Sequence, residues 1–539
     1  MNRTEKNFYR VINIIFAVFF AAIIIICTFM NGIDYSTKHL LADVIGKVPG
    51  IVFVIAGAGG IFAFSLLALR KKAGRRNILY GRKGINIAVI IISIAFFVFQ
   101  LIAAYSYYFR TDWDVDRILS TSQILSRNET PGWDHNDYYS RYPNNLTILN
   151  IFTNAARISS VLNIDQQYFI IILQCIIYGV TGLLMFFAVS RLLKSKYTAL
   201  FAYIIYLVTV GFSPWVTIPY SDSLALLFPT LILFIYTLRP RRVWAKIAKW
   251  LIIGFVSYAG YSLKPQVLLI TIAILAILFI HVIFNKRRSK KNLLKGAVCA
   301  AGIAVSFLVV TSADSMLDID LDNNKTFSAQ HYFMMGMNRD TGGTYSWDDV
   351  GYSESFETAE DRNKADMERA FERIKNMGVP GLSEHMVRKT LINYNDGTFS
   401  WGFEGDFYKE VFPDTTQLSP FFKNLYYNRA YKGDLNNAWN FFEQCVWMGI
   451  VTLSLFAAAF KRVDKETAIL MLTVILLTVF ESIFEARARY LFIYVPVYII
   501  LAVKGCQNIY SFVSIRLNKK NKVTGDTIDT DLPSAMYED

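Results

Sequence analysis

The sequence predicts an all-α polytopic membrane protein of about twelve transmembrane helices, with a smaller mixed domain outside the cytoplasm. Three observations carry this prediction. Of 539 residues, 54% are hydrophobic and 18% charged, against about a quarter charged in soluble chains. The apolar residues gather in blocks close to the roughly 20 residues that a helix needs to cross a bilayer. The cations sit in short loops between those blocks, where membrane orientation wants them.

In order, the apolar blocks lie near 11–31, 49–69, 85–108, 166–190, 198–218, 220–238, 247–263, 265–284, 296–312, 440–460, 467–486 and 490–510. Lys and Arg crowd the turns at 70–83, 191–196, 239–249, 286–291 and 461–465. All five turns fall on one side of a twelve-span count, which places that side and both termini in the cytoplasm of a cell-membrane protein. The first block has no small-residue cleavage site after it and reads as a retained helix. The net charge of +13 is accounted for by these loops, so no nucleic-acid partner is implied. Cys27, Cys175, Cys299, Cys445 and Cys506 all fall in or beside apolar blocks, which leaves no disulfide framework and no CxxC metal site.

The chain thus divides into an N-terminal hairpin with its loop (1–84), a membrane core (85–312) containing a first outer loop (109–165), an outer domain (313–439), C-terminal helices (440–513) and a polar, disordered cytoplasmic tail (514–539). In the first loop, Asn145 to Leu162 is amphipathic and suits a helix on the membrane surface. In the outer domain, Glu357–Asn376 reads as helix. Gly342, Gly343 and the aromatics at Tyr345–Trp347 read as loops and short strands.

Five motifs bear chemistry. Asp112, Asp114 and Asp116 alternate just after the third block; such acids suit general-base work, oxygen ligation of a divalent cation, or a merely solvated loop start. Tyr138-Tyr139-Ser140-Arg141-Tyr142-Pro143-Asn144-Asn145 breaks helix before the proline and offers a cap for the next one; its tyrosines suit a pocket rim or plain interfacial anchoring. Pro219-Tyr220-Ser221-Asp222 places a carboxylate at the membrane boundary, as a helix cap or a ligand contact. Lys264 is a cation in a long apolar stretch, suited to snorkelling or to a phosphate. Glu481 and Glu485-Ala486-Arg487-Ala488-Arg489-Tyr490 can neutralise one another or fork onto a phosphate. All five face the outer side of the count above.

Together these motifs resemble the GT-C glycosyltransferases, polytopic enzymes that use lipid-phosphate sugars and include protein O-mannosyltransferases and aminoarabinose transferases. The resemblance covers roughly residues 85–503 and implies a GT-C-like fold. It implies a polyprenyl-phosphate-linked sugar donor, an extracytoplasmic acceptor hydroxyl on an envelope glycan, glycolipid or protein, and inversion at the sugar. Asp114 then matches the family's catalytic acid by its spacing to Ile118 and Ser122, with Asp112 second. Lys264, Arg487 and Arg489 match the donor-phosphate contacts, and Asp116, Tyr142, Tyr220, Asp222, Glu485 and Tyr490 the substrate contacts. A polytopic transporter or lipid flippase is the rival class, although no two related halves with interrupted helices are visible. A polymerase or ligase of diphosphate-linked glycans is the other alternative.

Overall fold

In lipid the backbone has no water to bond, so apolar blocks close their hydrogen bonds within helices. The computed structural model describes residues 3–32, 46–73, 78–284, 289–404, 407–427, 433–460 and 463–524 and shows this outcome. The helices are α1 (Arg3–Phe29), α2 (Gly50–Ala73) and α3 (Ile78–Tyr107). Strand β1 (Arg110–Thr111) follows, then α4 (Trp113–Ser126), α5 (Trp133–Arg141), α6 (Leu146–Leu162) and α7 (Gln166–Leu192). Next come α8 (Lys196–Tyr206), α9 (Ser221–Thr237), α10 (Val243–Tyr261), α11 (Leu268–Phe284) and α12 (Ser289–Asp314). The chain then forms α13 (Ala329–Gly336), α14 (Trp347–Glu354) and α15 (Ala359–Tyr394). It ends with β2 (Tyr408–Glu410), α16 (Ser419–Tyr426), α17 (Asp434–Leu455), α18 (Lys465–Ile483) and α19 (Val495–Thr524).

Every one of the twelve expected spans is helical. Nine helices among the described residues are long and apolar enough to cross a membrane. Of the other three, the helices at 196–211 and 221–237 are shorter, and α10 carries Lys246 and Lys249 within its 19 residues. Residues 461–462 of the basic turn at 461–465, and part of those at 70–83 and 286–291, lie outside the described residues, as does the chain beyond 524. Asn13 and Asn508 both donate to backbone carbonyls of the turn 456–459, so the start of α1 and the middle of α19 meet at one end of the bundle. The expectation of a disordered tail from 514 is corrected, because α19 continues to Thr524.

Glycines let the helices approach closely, as small residues do inside membranes. A Cβ on Gly254 of α10 would stand 1.9 Å from the Cys299 carbonyl oxygen of α12, and one on Gly302 would stand 2.1 Å from that of Leu251. Backbone rather than a yielding side chain stands in the way. Replacing Gly254 or Gly302 with Val should therefore destabilise the protein by at least about 1–3 kcal/mol, the usual range for overpacking. Thermal unfolding in detergent would show it as a lower midpoint, and an unchanged midpoint would mean that the two helices part without cost.

The segment expected to hold loops and short strands forms a turn through Gly342 and Gly343, with helix in place of strand from Trp347 onward. Tyr345–Trp347 leads into α14, whose Ser346 side chain caps the Asp349 amide. The helix expected over Glu357–Asn376 runs on to Tyr394 across a kink at Gly378, where φ is 58°. The single ladder among the described residues pairs β1 with β2 antiparallel, joining the segment at 109–165 to that at 313–439. After α15 the chain re-enters the bundle: Phe399 and Trp401 are buried, and Trp401 meets Trp215 edge-on at 5.4 Å. The boundary of an outer domain at 439 thus encloses residues that belong to the membrane core.

Two histidines are buried in this part of the chain, His331 on α13 and His385 on α15. His331 faces the Ser353 hydroxyl at 2.7 Å, and His385 Nε2 faces the Gly336 carbonyl oxygen at 2.9 Å. Burial pushes both imidazoles down to about 4, and the cations Lys389, Arg388 and Arg339 add to this at His385. The folded protein therefore holds them neutral while the unfolded chain takes up protons. Stability is fully present above about pH 6.5 and is lost as pH falls toward 4, by about 3 kcal/mol for each histidine. His385→Gln should flatten this loss in a series of thermal unfolding midpoints between those limits; an unaltered slope would discount the histidine.

Candidate functional site

The site begins at the turn between β1 and α4. Asp112 is extended, and Trp113 then takes a φ of 57°. A left-handed conformation on so bulky a residue costs about 1–3 kcal/mol and persists only when its surroundings impose it. Here the indole packs 4.9 Å from both the Tyr220 and the Phe407 rings, with the Arg489 guanidinium 4.9 Å above it. This turn separates the three acids. Asp112 is exposed, and its amide donates to the Phe407 carbonyl at 2.9 Å. Asp116 pairs with Lys409 at 2.6 Å on an exposed face. Asp114 turns inward and accepts from the Tyr220 hydroxyl at 3.0 Å. The Tyr138 hydroxyl lies within electrostatic reach of the same carboxylate.

Tyr220 precedes the first turn of α9, which brings Asp222 into a buried group of charges. No side-chain cap forms there. Instead Asp222 accepts from Lys264, with 4% and 6% of the two side chains exposed. Arg489 Nε lies 3.9 Å from the other Asp222 oxygen. Lys264 also rests over the Tyr490 ring at 4.5 Å. Glu485 accepts from Arg487 at 2.8 Å and from the Tyr490 hydroxyl at 3.0 Å. Burial lowers Arg487 to about 10, which still leaves it a cation near neutrality.

Tyr142 lies at the edge of this group, its ring 5.2 Å from Tyr138 and 5.4 Å from Phe327. Asn145, expected as a cap, makes no cap bond and donates to the Tyr138 hydroxyl at 2.7 Å. Tyr332 of α13 and Tyr345, just before α14, lie within electrostatic reach of both Asp114 and Glu485. Burial first, and then these carboxylates, push their phenols up, Tyr345 to about 12. They stay protonated, and so are hydrogen-bond donors.

Four of the five motifs therefore converge in one cluster, with the Tyr142 motif at its edge; Asp112 and Asp116 point elsewhere. Residues outside the expected set also belong here. Trp113 and Tyr138 lie within the sequence motifs, but only the fold shows which way they face. Tyr332 and Tyr345 are distant in sequence and give no local signal. Lys389 supports the floor by donating to the carbonyls of Gly336 and Phe484, at the ends of α13 and α18. Among the described residues no group of three His, Cys, Asp or Glu side chains gathers as metal ligands. A separate shallow depression lies away from this cluster, lined by Leu192, Asp464, Glu466 and Lys504 among others.

Long apolar helices around buried charge define the class, an integral membrane protein. The chain belongs to a family of conserved hypothetical integral membrane proteins, whose model matches residues 5–509. Neither a curated protein nor a solved structure matches it.

Proposed function

We propose that this protein is a membrane glycosyltransferase of GT-C type, spanning the cell membrane about twelve times. It moves a sugar from a polyprenyl-phosphate donor to an acceptor hydroxyl outside the cytoplasm. The observation that carries the reading is the placement of Asp114, which accepts from the Tyr220 hydroxyl while the Arg489 guanidinium lies 5.5 Å from the same tyrosine ring. A carboxylate suited to a base and a guanidinium suited to a leaving phosphate thus share one tyrosine. Positive-inside orientation puts the basic turns in the cytoplasm with both termini, and this cluster at the opposite face.

In this mechanism Asp114 takes the proton of the acceptor hydroxyl, whose oxygen attacks the anomeric carbon. The bond from that carbon to the phosphate oxygen breaks, and the anomeric configuration inverts. The oxygen keeps the electron pair, and Arg487 and Arg489 stabilise the added charge where water is scarce. Asp222 positions Arg489, while Lys264 adds positive potential to the phosphate subsite. Tyr142, Tyr220, Glu485 and Tyr490 shape the substrate contacts.

The experiment is transfer in proteoliposomes holding the purified chain, polyprenyl-phosphate-linked hexoses and pentoses, and acceptors drawn from envelope glycans. Product sugar linked through a new glycosidic bond supports the reading. Movement of the lipid across the bilayer without bond formation favours a flippase, and turnover of diphosphate-linked glycans alone favours a polymerase or ligase. Lys264→Gln should raise the apparent KM for the donor about tenfold, as for loss of one charge-assisted contact of about 1.5 kcal/mol. An unaltered KM in that variant removes Lys264 from the phosphate subsite.

A further inference from the structure

An indole that the proposed reaction does not use stands out of the surface near the Asp114 cluster. Trp347 opens α14 and is 77% exposed, yet its backbone is firmly held. The Ser346 hydroxyl caps the Asp349 amide at 3.3 Å. The buried Asp349 carboxylate accepts from Asn338 at 2.9 Å and pairs with Arg373 at 2.5 Å. The turn just before is tied to the cluster through the backbone, because the Ala486 amide donates to the Gly343 carbonyl at 2.8 Å. A large apolar ring fixed in this way and left uncovered is preorganised for a partner.

Aromatic rings run from this indole to the site. Trp347 meets Tyr345 edge-on, with centroids 5.2 Å apart. Tyr345 and Tyr142 pack on one small core of Phe327, Met335 and Val350, and Tyr345 lies within electrostatic reach of Asp114 and Glu485. Charged groups frame the row: Asp348 is exposed beside the indole, and Arg141 pairs with Glu354, both partly exposed. A protein partner suits a contiguous apolar patch, and an acyl chain suits a surface without charge. A sugar ring matches the mixture, since it offers an apolar C–H face and a rim of hydroxyls. We propose that Trp347 and Tyr345 select a glycan acceptor over a lipid or a protein, a sugar unit next to the reacting one stacking on the indole. Its hydroxyls then bond to Asp348 and to the Arg141–Glu354 pair. This inference rests on the transferase reading of the cluster and adds the chemical class of the acceptor.

The test reads binding without catalysis, by saturation-transfer NMR on the full chain in phosphatidylcholine nanodiscs. The probes are cellohexaose and chitohexaose, whose equatorial substituents leave flat C–H faces. Trp347→Ala should weaken binding about tenfold, as for loss of one aromatic anchor, and Trp347→Phe, which keeps a ring, should lose less. Both side chains stand at an exposed position, so folding is preserved. Trp244→Ala is the control: this indole is 65% exposed at the start of α10, the far end of that helix from Lys264, and its removal should leave binding unchanged. No binding of either sugar by the wild type, or equal binding in Trp347→Ala, overturns the proposal. Fluorescence quenching by brominated lipid that disappears in Trp347→Ala also overturns it, because the indole is then a membrane anchor. Binding that depends on Trp347 in a protein that forms no glycosidic bond would end the transferase reading and leave the glycan surface standing.

Discussion

Asp114→Asn should lower sugar transfer by about 10²–10⁴-fold, the usual contribution of a positioned general base, while folded protein still reaches the membrane. The amide keeps the shape of the side chain and can still accept from Tyr220, so the surrounding cluster should survive. What it loses is the ability to take a proton. Asp116→Asn is the matched control, because that carboxylate pairs with Lys409 at an exposed face and exposed pairs contribute about 0–1 kcal/mol. Its transfer rate should stay within several-fold of the wild type. Rates from radiolabelled polyprenyl-phosphate sugar in proteoliposomes, normalised to folded protein, separate the two. Full activity in Asp114→Asn would end the catalytic assignment, and an equal loss in both variants would point to the charge of the loop instead.

The sequence makes the helices legible because each span is a continuous apolar run, and hydropathy needs no partner to be read. Charge pairing is different, since it depends on distant residues. Lys264 stands alone in its own stretch, yet it meets Asp222, 42 residues earlier, in a buried pair. The three acids at 112–116 are chemically alike in one dimension; only the left-handed turn at Trp113 decides which one faces inward. The loop from Asn395 to Trp401 carries a turn signal, Asn-Asp-Gly, typical of a surface. It is buried nonetheless, because Asp396 accepts from the amides of Thr398 and Ser400 and the Gln444 side chain accepts from the Gly397 amide. A polar loop can enter a membrane core when each of its donors is met there, and composition alone does not show that it will be.

Asp222→Ala should be the most destabilising single replacement in the cluster, costing about 3–5 kcal/mol as expected for breaking a buried ion pair from one side. It leaves Lys264 and Arg489 facing each other without the carboxylate that lies between them. Lys264→Ala removes the opposite partner, but Arg489 is already 3.9 Å from the carboxylate and can take up the charge, so the loss should be smaller. Removing both, in Asp222→Ala with Lys264→Ala, should recover much of the stability, because an apolar pair in place of a buried ionic one is often neutral or better. Thermal unfolding midpoints in one detergent give the order: wild type, double variant, Lys264→Ala, Asp222→Ala. Additive losses in the double variant would mean that the two side chains stabilise the fold independently, through packing against Tyr490 and α9. The predicted order holds only if charge neutralisation inside the bundle is what fixes the geometry around Arg489. In that case the buried pair and the Asp114 site stand or fall together, because Arg489 is the group they share.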